Sequence, residues 1–123
     1  MSEIMIRKMI PEDLSRVCEI ESDNFSVPWS EQSFLESMER EDTVFLTAVA
    51  DGAVAGYVGC YCVAGTGEIT NVAVKDSMRR RGIGGLLLEK LYVRLLKNRT
   101  KTSDISYTII YINRLCREKA AIS

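Results

Sequence analysis

Three arginines and three glycines stand together in the stretch RRRGIGG, between an apolar strand and an apolar helix. Cations are disfavoured at a helix N-terminus, because the backbone dipole already places partial positive charge there. Glycine within a helical turn also lowers stability relative to alanine. Both features become favourable if an anion binds, because the first N–H groups of the helix converge on it and glycines let it approach the backbone. We interpret the stretch as a phosphate-binding turn, with a basic solvated turn as the alternative.

The spacing of these residues excludes two known nucleotide-binding motifs and fits a third pattern. A Walker loop requires Gly-x4-Gly-Lys-Ser/Thr, and no segment of the chain matches it. A dinucleotide fingerprint requires Gly-x-Gly-x-x-Gly; Gly82 and Gly84 fit, but Leu87 occupies the third glycine position. The pattern that fits is Arg/Gln-x-x-Gly-x-Gly, which begins at Arg79 and follows the apolar stretch ITNVAV directly.

That pattern resembles the acetyl-CoA pyrophosphate loop of the GNAT acetyltransferase superfamily. A second segment, NFSVPWSEQSF, is similar to the F-x-x-P-W-S-x-x-x-F segment of the ribosomal-protein-alanine N-acetyltransferases (the RimI family) within that superfamily. The matching residues are Phe25, Pro28, Trp29, Ser30 and Phe34. The resemblance runs from Ile4 to Leu91, and residues 92–123 diverge.

The resemblance implies an acetyl-CoA-dependent N-acetyltransferase that acts on a protein N-terminal α-amine, with alanine of a small-subunit ribosomal protein as the expected acceptor. Such a reaction needs a base or water chain for the amine proton, donors for the oxyanion, and an acid for the leaving thiolate. The resemblance places backbone contacts to the acetyl and pantetheine groups at Val72, Ala73 and Val74. It assigns pyrophosphate binding to Arg79, Arg80, Arg81, Gly82, Ile83, Gly84 and Gly85.

Trp29 belongs to a segment that, by the same resemblance, borders the groove for the substrate N-terminus. We therefore expect Trp29 to contact the substrate. The alternative is a core or hinge residue, since a tryptophan between a proline and a helix cap packs well in many folds.

The resemblance stops after Leu91, where the family places its base glutamate, its leaving-group tyrosine and an asparagine that contacts CoA. We expect the C-terminal strands of the family to be missing or rewritten in this chain. Glu68 is a candidate for the catalytic base, with an exposed strand-end acid as the alternative, and Tyr111 is a candidate for the catalytic acid, with strand packing as the alternative. Weaker candidates are Glu21 and Tyr107 for proton transfer and Asn113 for the CoA contact.

The elements that must position these residues follow from periodicity and turn signals. Alternating residues predict a first strand at Glu3–Ile10, and Pro11 opens a helix. Ser30 is a good N-cap for a second helix, and Asp51-Gly52 is a strong hairpin signal. A further strand, a helix from Arg80 to about Leu96, and a β-rich stretch at 105–112 complete the order β-α-α-β-β-β-α-β. The fold class is therefore α/β, with a GNAT-like mixed sheet.

Length and composition limit the other possibilities. A chain of 123 residues fits one domain, spanning residues 1–123, and its net charge of −1 favours neither nucleic acid nor an acidic membrane as partner. Four cysteines without a CxxC pair, and no histidine, make a metal site unexpected, and we expect the thiols to be reduced. No leader-like or membrane-spanning apolar run is present, which predicts a cytoplasmic protein.

Three functional hypotheses remain open from the sequence. The first is an active N-terminal acetyltransferase. The second is an acetyl-CoA-binding domain whose catalysis is impaired by the divergent C-terminus, and the third is a GNAT enzyme for a small-molecule amine. The same divergence predicts an exposed sheet edge near Ile105–Ile112, and through it a homodimer.

Overall fold

The computed structural model describes residues 3–63, 66–98 and 109–112. Five strands form one sheet in the order β1-β2-β3-β4-β5. The first four strands are antiparallel, and β5 is parallel to β4. The elements are β1 (Ile4–Lys8), a 3-10 turn (Pro11–Asp13), α1 (Leu14–Asn24), α2 (Glu31–Met38), β2 (Thr43–Ala50), β3 (Ala53–Val63), β4 (Thr66–Val74), a second 3-10 turn (Asp76–Met78), α3 (Ile83–Asn98) and β5 (Ile109–Ile112).

The element order confirms the predicted mixed α/β architecture. The predicted last strand spans 105–112, of which the described part is Ile109–Ile112, in parallel register with Thr66–Ile69. The expectation that C-terminal strands of the family are missing falls on residues outside the described part of the chain.

Two cores lie on opposite faces of the sheet. One face packs against α3, whose Leu87, Leu91 and Leu95 are buried at helical spacing. The other face packs against α1 and α2, where Phe34 and Tyr57 are fully buried and meet edge to face with ring centroids 5.9 Å apart. The sheet, including β4 with its predicted acetyl site, is therefore packed on both faces.

The turns follow the predicted chemistry. Asp51 and Gly52 both have positive φ, at 54° and 78°, which suits the tight turn of a two-residue hairpin. The Ser30 hydroxyl accepts a hydrogen bond from the Ser33 N–H at 3.1 Å, so Ser30 caps α2 as expected.

The start of α3 differs from the prediction. The helix begins at Ile83 rather than at Arg80, because Arg80 and Gly82 adopt left-handed backbone with φ of 68° and 79°. Residues in that region cannot continue a right-handed helix. The basic residues thus form a turn in front of the helix instead of its first turn.

A β-bulge interrupts β4 beside the predicted acetyl site. Gly59 pairs with Asn71, while the next residue, Cys60, pairs with Ile69, so Thr70 is the extra residue. A bulge bends the strand and redirects its side chains. The β5 pairing covers Thr66–Ile69, so the half of β4 that follows the bulge lies beyond it.

Candidate active site

The basic turn is tied to its surroundings through Arg79. The Arg79 guanidinium donates to the Val74 carbonyl oxygen at 3.2 Å, to the Asp76 carboxylate at 2.9 Å and to the Asn24 side-chain oxygen. These contacts link the turn to the end of β4 and to the last residue of α1. The structure thus gives the Arg79 side chain a role in positioning the turn, and its predicted contact with a cofactor stays a prediction.

The glycines of the turn leave open space at the start of α3. A Cβ added at Gly82 or at Gly85 would have no neighbouring atom within 4 Å. Gly82 needs glycine for its positive φ, but Gly85 lies inside the helix, where alanine would be more stable. Packing within the described protein gives no reason for glycine at this position. We call the open space beside Gly82 and Gly85 the glycine cradle. It fits a ligand that comes close to the backbone.

The remaining predicted phosphate contacts surround this cradle. Arg80 and Arg81 are exposed in the turn, whereas Ile83 and Gly84 are buried at the first positions of α3. The Leu86 N–H makes the early helical bond to the Gly82 carbonyl, at 3.0 Å. The N–H groups before it belong to the helix terminus, where an anion can accept them.

The three residues assigned to the acetyl and pantetheine groups lie at the end of β4. Val72, Ala73 and Val74 are all fully buried. Val72 and Val74 pack in the core under α3, and Ala73 packs in the core under α1 and α2. Their side chains therefore serve sheet packing, which leaves the predicted ligand contacts to their main-chain atoms.

A cleft of about 240 Å³ lies on the α1 and α2 side of the sheet. Trp29 lines it from the segment before α2, and Thr70, the bulged residue of β4, lines it from the sheet. The cleft thus reaches the strand that carries Val72, close to the predicted acetyl site. Its other walls come from Ser37, Arg40, Thr43, Phe45, Cys60 and Tyr61.

Trp29 packs against the aromatic core and also lines the cleft, and its predicted contact with the substrate stays a prediction. Its ring packs against Phe34 and Phe45, with centroid distances of 5.3 and 6.2 Å. The residue is nevertheless only half-buried, and it forms part of the cleft wall. The structure is consistent with both packing and substrate contact.

The weak catalytic candidates Glu68 and Tyr111 lie side by side in the sheet. Glu68 is in register with Tyr61 on β3 and with Tyr111 on β5. It is exposed to solvent, and its role as a base stays a prediction. Tyr107 and Asn113 lie outside the described residues.

A buried polar network connects α1 to the sheet beneath the cleft. Glu21 is only 2% exposed, and its carboxylate accepts from the Tyr57 hydroxyl, from the Trp29 backbone N–H at 2.9 Å and from Asn71 Nδ2 at 3.3 Å. Glu21, a weaker candidate for proton transfer, is therefore held inside this network, where it anchors the Trp29 segment.

Cys60, the thiol that lines the cleft, is not an activated nucleophile. The hydrogen bond to Cys62 and burial raise the pKa of Cys60, so it stays a neutral thiol. The hydrogen bond from Cys60 lowers the pKa of Cys62, although burial opposes this effect. A neutral cleft thiol does not support a mechanism through an acetyl-cysteine.

Comparison with known proteins assigns the fold. The Acetyltransferase (GNAT) family matches residues 14–108. The chain belongs to the GNAT acetyltransferase family. It is 37% identical over 83 residues to a Bacillus subtilis protein whose name assigns it, provisionally, as a ribosomal protein bS18-alanine N-acetyltransferase. That match covers 67% of this chain and 55% of the relative, so the GNAT chain described here spans about half the length of that relative.

Solved GNAT structures share the fold. The ribosomal-protein-S18-alanine N-acetyltransferase of Escherichia coli superimposes with a TM-score of 0.69 at 27% identity, over 78% of this chain and 61% of that one. A PaiA N-acetyltransferase of Thermoplasma acidophilum, solved in complex with coenzyme A, gives a TM-score of 0.67 at 22% identity, over 78% and 74% of the two chains.

Sequence reasoning missed two members of the buried network in this GNAT domain, Tyr57 and Asn71. Asn71 carried a usable signal, because a polar residue interrupts the apolar run ITNVAV. Tyr57 gave no such signal, since a tyrosine in a strand is ordinary.

Two further features were sought in the described ranges. No cluster of three metal-ligating side chains occurs there, and no helix there is long and apolar enough to cross a membrane.

Proposed function

We propose that this GNAT chain is an acetyl-CoA-dependent N-acetyltransferase that acts on a protein N-terminal α-amine, with the alanine of a ribosomal protein as acceptor. The observation that carries the proposal is the open space beside Gly82, the last residue of the basic turn, and Gly85, in the first turn of α3. The names of the Bacillus subtilis and Escherichia coli relatives support the acceptor.

The cradle suits the cofactor chemically. The pyrophosphate of acetyl-CoA would lie against the backbone of Gly82 and Gly85, where its charge meets the N–H groups of the first turn of α3. Arg80 and Arg81 would contribute positive charge, and Arg79 would hold the turn in place. When bound, acetyl-CoA supplies the activated acetyl group.

The remaining tasks fall to the sheet. The backbone at Val72–Val74 would hold the acetyl end, and its N–H groups are the candidate donors for the oxyanion. The amine would arrive through the cleft that Trp29 and Thr70 line. Glu68 is the candidate acceptor for the amine proton, because it is exposed on β4 two residues before Thr70. Tyr111, its register neighbour on β5, is the candidate donor to the leaving thiolate.

Mass spectrometry of a peptide that begins with alanine tests the proposal. Incubation with acetyl-CoA should add one acetyl group at the α-amine, and the same peptide with a blocked N-terminus should stay unmodified. Binding of acetyl-CoA without any transfer would support the impaired-domain hypothesis instead. Transfer to a small amine in preference to the peptide would support the small-molecule hypothesis. The predicted homodimer stays a prediction, which solution scattering would test.

A further inference from the structure

The orientation of Asn71 is fixed by Glu21. Asn71 Nδ2 lies 3.3 Å from both carboxylate oxygens of Glu21. The Glu21 oxygens are acceptors in each of their hydrogen bonds, so the amide presents its nitrogen to Glu21 and turns its oxygen away. Tyr57 and the Trp29 N–H also donate to this carboxylate, which holds it in place.

The other end of the Asn71 amide lacks a donor. Within the part of the chain that the structure describes, Asn71 Oδ1 is buried and has no hydrogen-bond partner, and the residue as a whole is 2% exposed. Buried acceptors are almost always satisfied, and an exception at a candidate site calls for a partner that binds there. That partner must be a hydrogen-bond donor.

The position of Asn71 indicates which donor it is. Asn71 lies directly between Thr70, which lines the cleft, and Val72, the first residue assigned to the acetyl group. Trp29, on the opposite wall of the cleft, is bonded through its N–H to the same Glu21 carboxylate. A group bound against Thr70 in the cleft therefore lies next to the residue that precedes Asn71 in the chain.

We propose that Asn71 Oδ1 accepts a hydrogen bond from the amine that is to be acetylated, and that Glu21 acts as a positioning residue behind it. This inference rests on the proposed acetyl transfer at β4. An ammonium and a neutral amine both carry N–H groups, so the bond can persist when a proton leaves. The hydrogen bonds from Nδ2 to Glu21 polarise the amide and strengthen Oδ1 as an acceptor. The site therefore selects primary amines over groups of the same shape that lack a donor.

A pair of matched peptides tests the inference in the unmodified protein. One peptide begins with alanine, and the other carries a propionyl group in place of the alanyl group, so that only the amine is lost. Both are titrated in the presence of CoA, with the fluorescence of Trp29, the only tryptophan in the chain, as the signal. We expect the alanyl peptide to bind about tenfold more tightly, as a hydrogen bond from a charged group allows.

Substitution of Asn71 then tests whether this residue causes the preference for the alanyl peptide. Asn71→Leu should bind both peptides equally, because the acceptor is gone, and should keep its affinity for acetyl-CoA. Thr47→Val is the control, since Thr47 is also buried on the sheet and bonds to Asp13 at 3.1 Å, away from the cleft. It should retain the tenfold preference. If Asn71→Leu does not fold, Glu21→Gln should reduce the preference, because a glutamine no longer forces the amide orientation.

The outcomes separate this inference from the proposed function. If the unmodified protein binds no acetyl-CoA, the proposed function fails and the inference fails with it. If it binds acetyl-CoA and the alanyl peptide but does not distinguish the propionyl peptide, the inference alone is wrong. If Asn71→Leu still prefers the alanyl peptide tenfold, the inference is also wrong. A buried water would then be the partner of Asn71 Oδ1 in the unmodified protein.

Discussion

Arg79 Nε lies 3.2 Å from the carbonyl oxygen of Val74, so the first arginine of the basic turn is bonded to the strand that precedes it. The same guanidinium reaches Asn24 at the end of α1, 55 residues away in the chain. The turn is therefore pre-organised by one of its own cations. This relationship divides the three arginines into one that shapes the turn and two that remain exposed in it.

Substitution at Arg79 and Arg80 should separate these roles. Arg79→Gln should lower the free energy of unfolding by about 1 kcal/mol, because partly buried hydrogen bonds are lost, and should weaken acetyl-CoA binding. Arg80→Gly should weaken binding without lowering stability, because glycine tolerates the φ of 68°. Urea denaturation and calorimetry measure the two quantities. Lys90→Gln, exposed in the middle of α3, is the charge control and should change neither. Equal loss of stability in both arginine variants would contradict this division.

Gly85→Ala should stabilise the fold and weaken acetyl-CoA binding. Alanine favours the helix by about 1 kcal/mol, and its methyl group meets nothing within 4 Å, so the unfolding midpoint should rise. The same methyl group occupies the cradle, so the affinity for acetyl-CoA should fall. Gly52→Ala is a matched control, because it also points into open space but must adopt a φ of 78°. It should destabilise the fold and leave binding unchanged. An unaltered affinity of Gly85→Ala for acetyl-CoA would show that the cofactor does not bind in the cradle.

Glu68→Gln tests the candidate base. If the Glu68 carboxylate accepts the amine proton, kcat should fall by about a hundredfold or more while the acetyl-CoA affinity is retained. The measurement is the rate of peptide acetylation against pH. Glu89→Gln, which removes an exposed carboxylate from α3, should leave the rate unchanged. A Glu68→Gln enzyme with full activity would exclude this residue as the base.

The ion pair between Arg7 and Asp13 should make the fold sensitive to acid. Burial opposes ionisation of Asp13, but hydrogen bonds from Arg7 and from the Ile10 N–H outweigh it, so the pKa of Asp13 lies below its ordinary value of 3.8. A carboxyl whose pKa is lower in the folded state stabilises the protein above its unfolded pKa. That contribution is lost as the pH falls through the folded pKa.

Asp13→Asn should therefore lose less stability than the unmodified protein between about pH 5 and pH 2. Thermal denaturation across that range measures the difference. Asp23→Asn, at an exposed position on α1, should keep the acid dependence of the unmodified protein. Parallel curves for Asp13→Asn and the unmodified protein would mean that this pair carries no acid-linked stability.

The sequence predicted what depends on local patterns. Strand and helix order, the Asp51-Gly52 hairpin and the Ser30 cap follow from neighbours in the chain, and all are confirmed. The start of α3 was wrong by three residues, because periodicity does not reveal that Arg80 is left-handed. The bulge at Thr70 and the network around Glu21 depend on register and packing between distant segments, which a single sequence does not encode locally.

A calorimetric titration of the chain with acetyl-CoA, repeated with Gly82→Val, tests directly whether the glycine turn holds the cofactor. We expect saturable binding at one site, competed by CoA, and loss of that binding in Gly82→Val with the circular dichroism spectrum retained. A valine at Gly82 would fill the cradle and cannot readily adopt the φ of 79° that the turn requires. No binding by the unmodified chain, or equal binding by a folded Gly82→Val, would contradict the account.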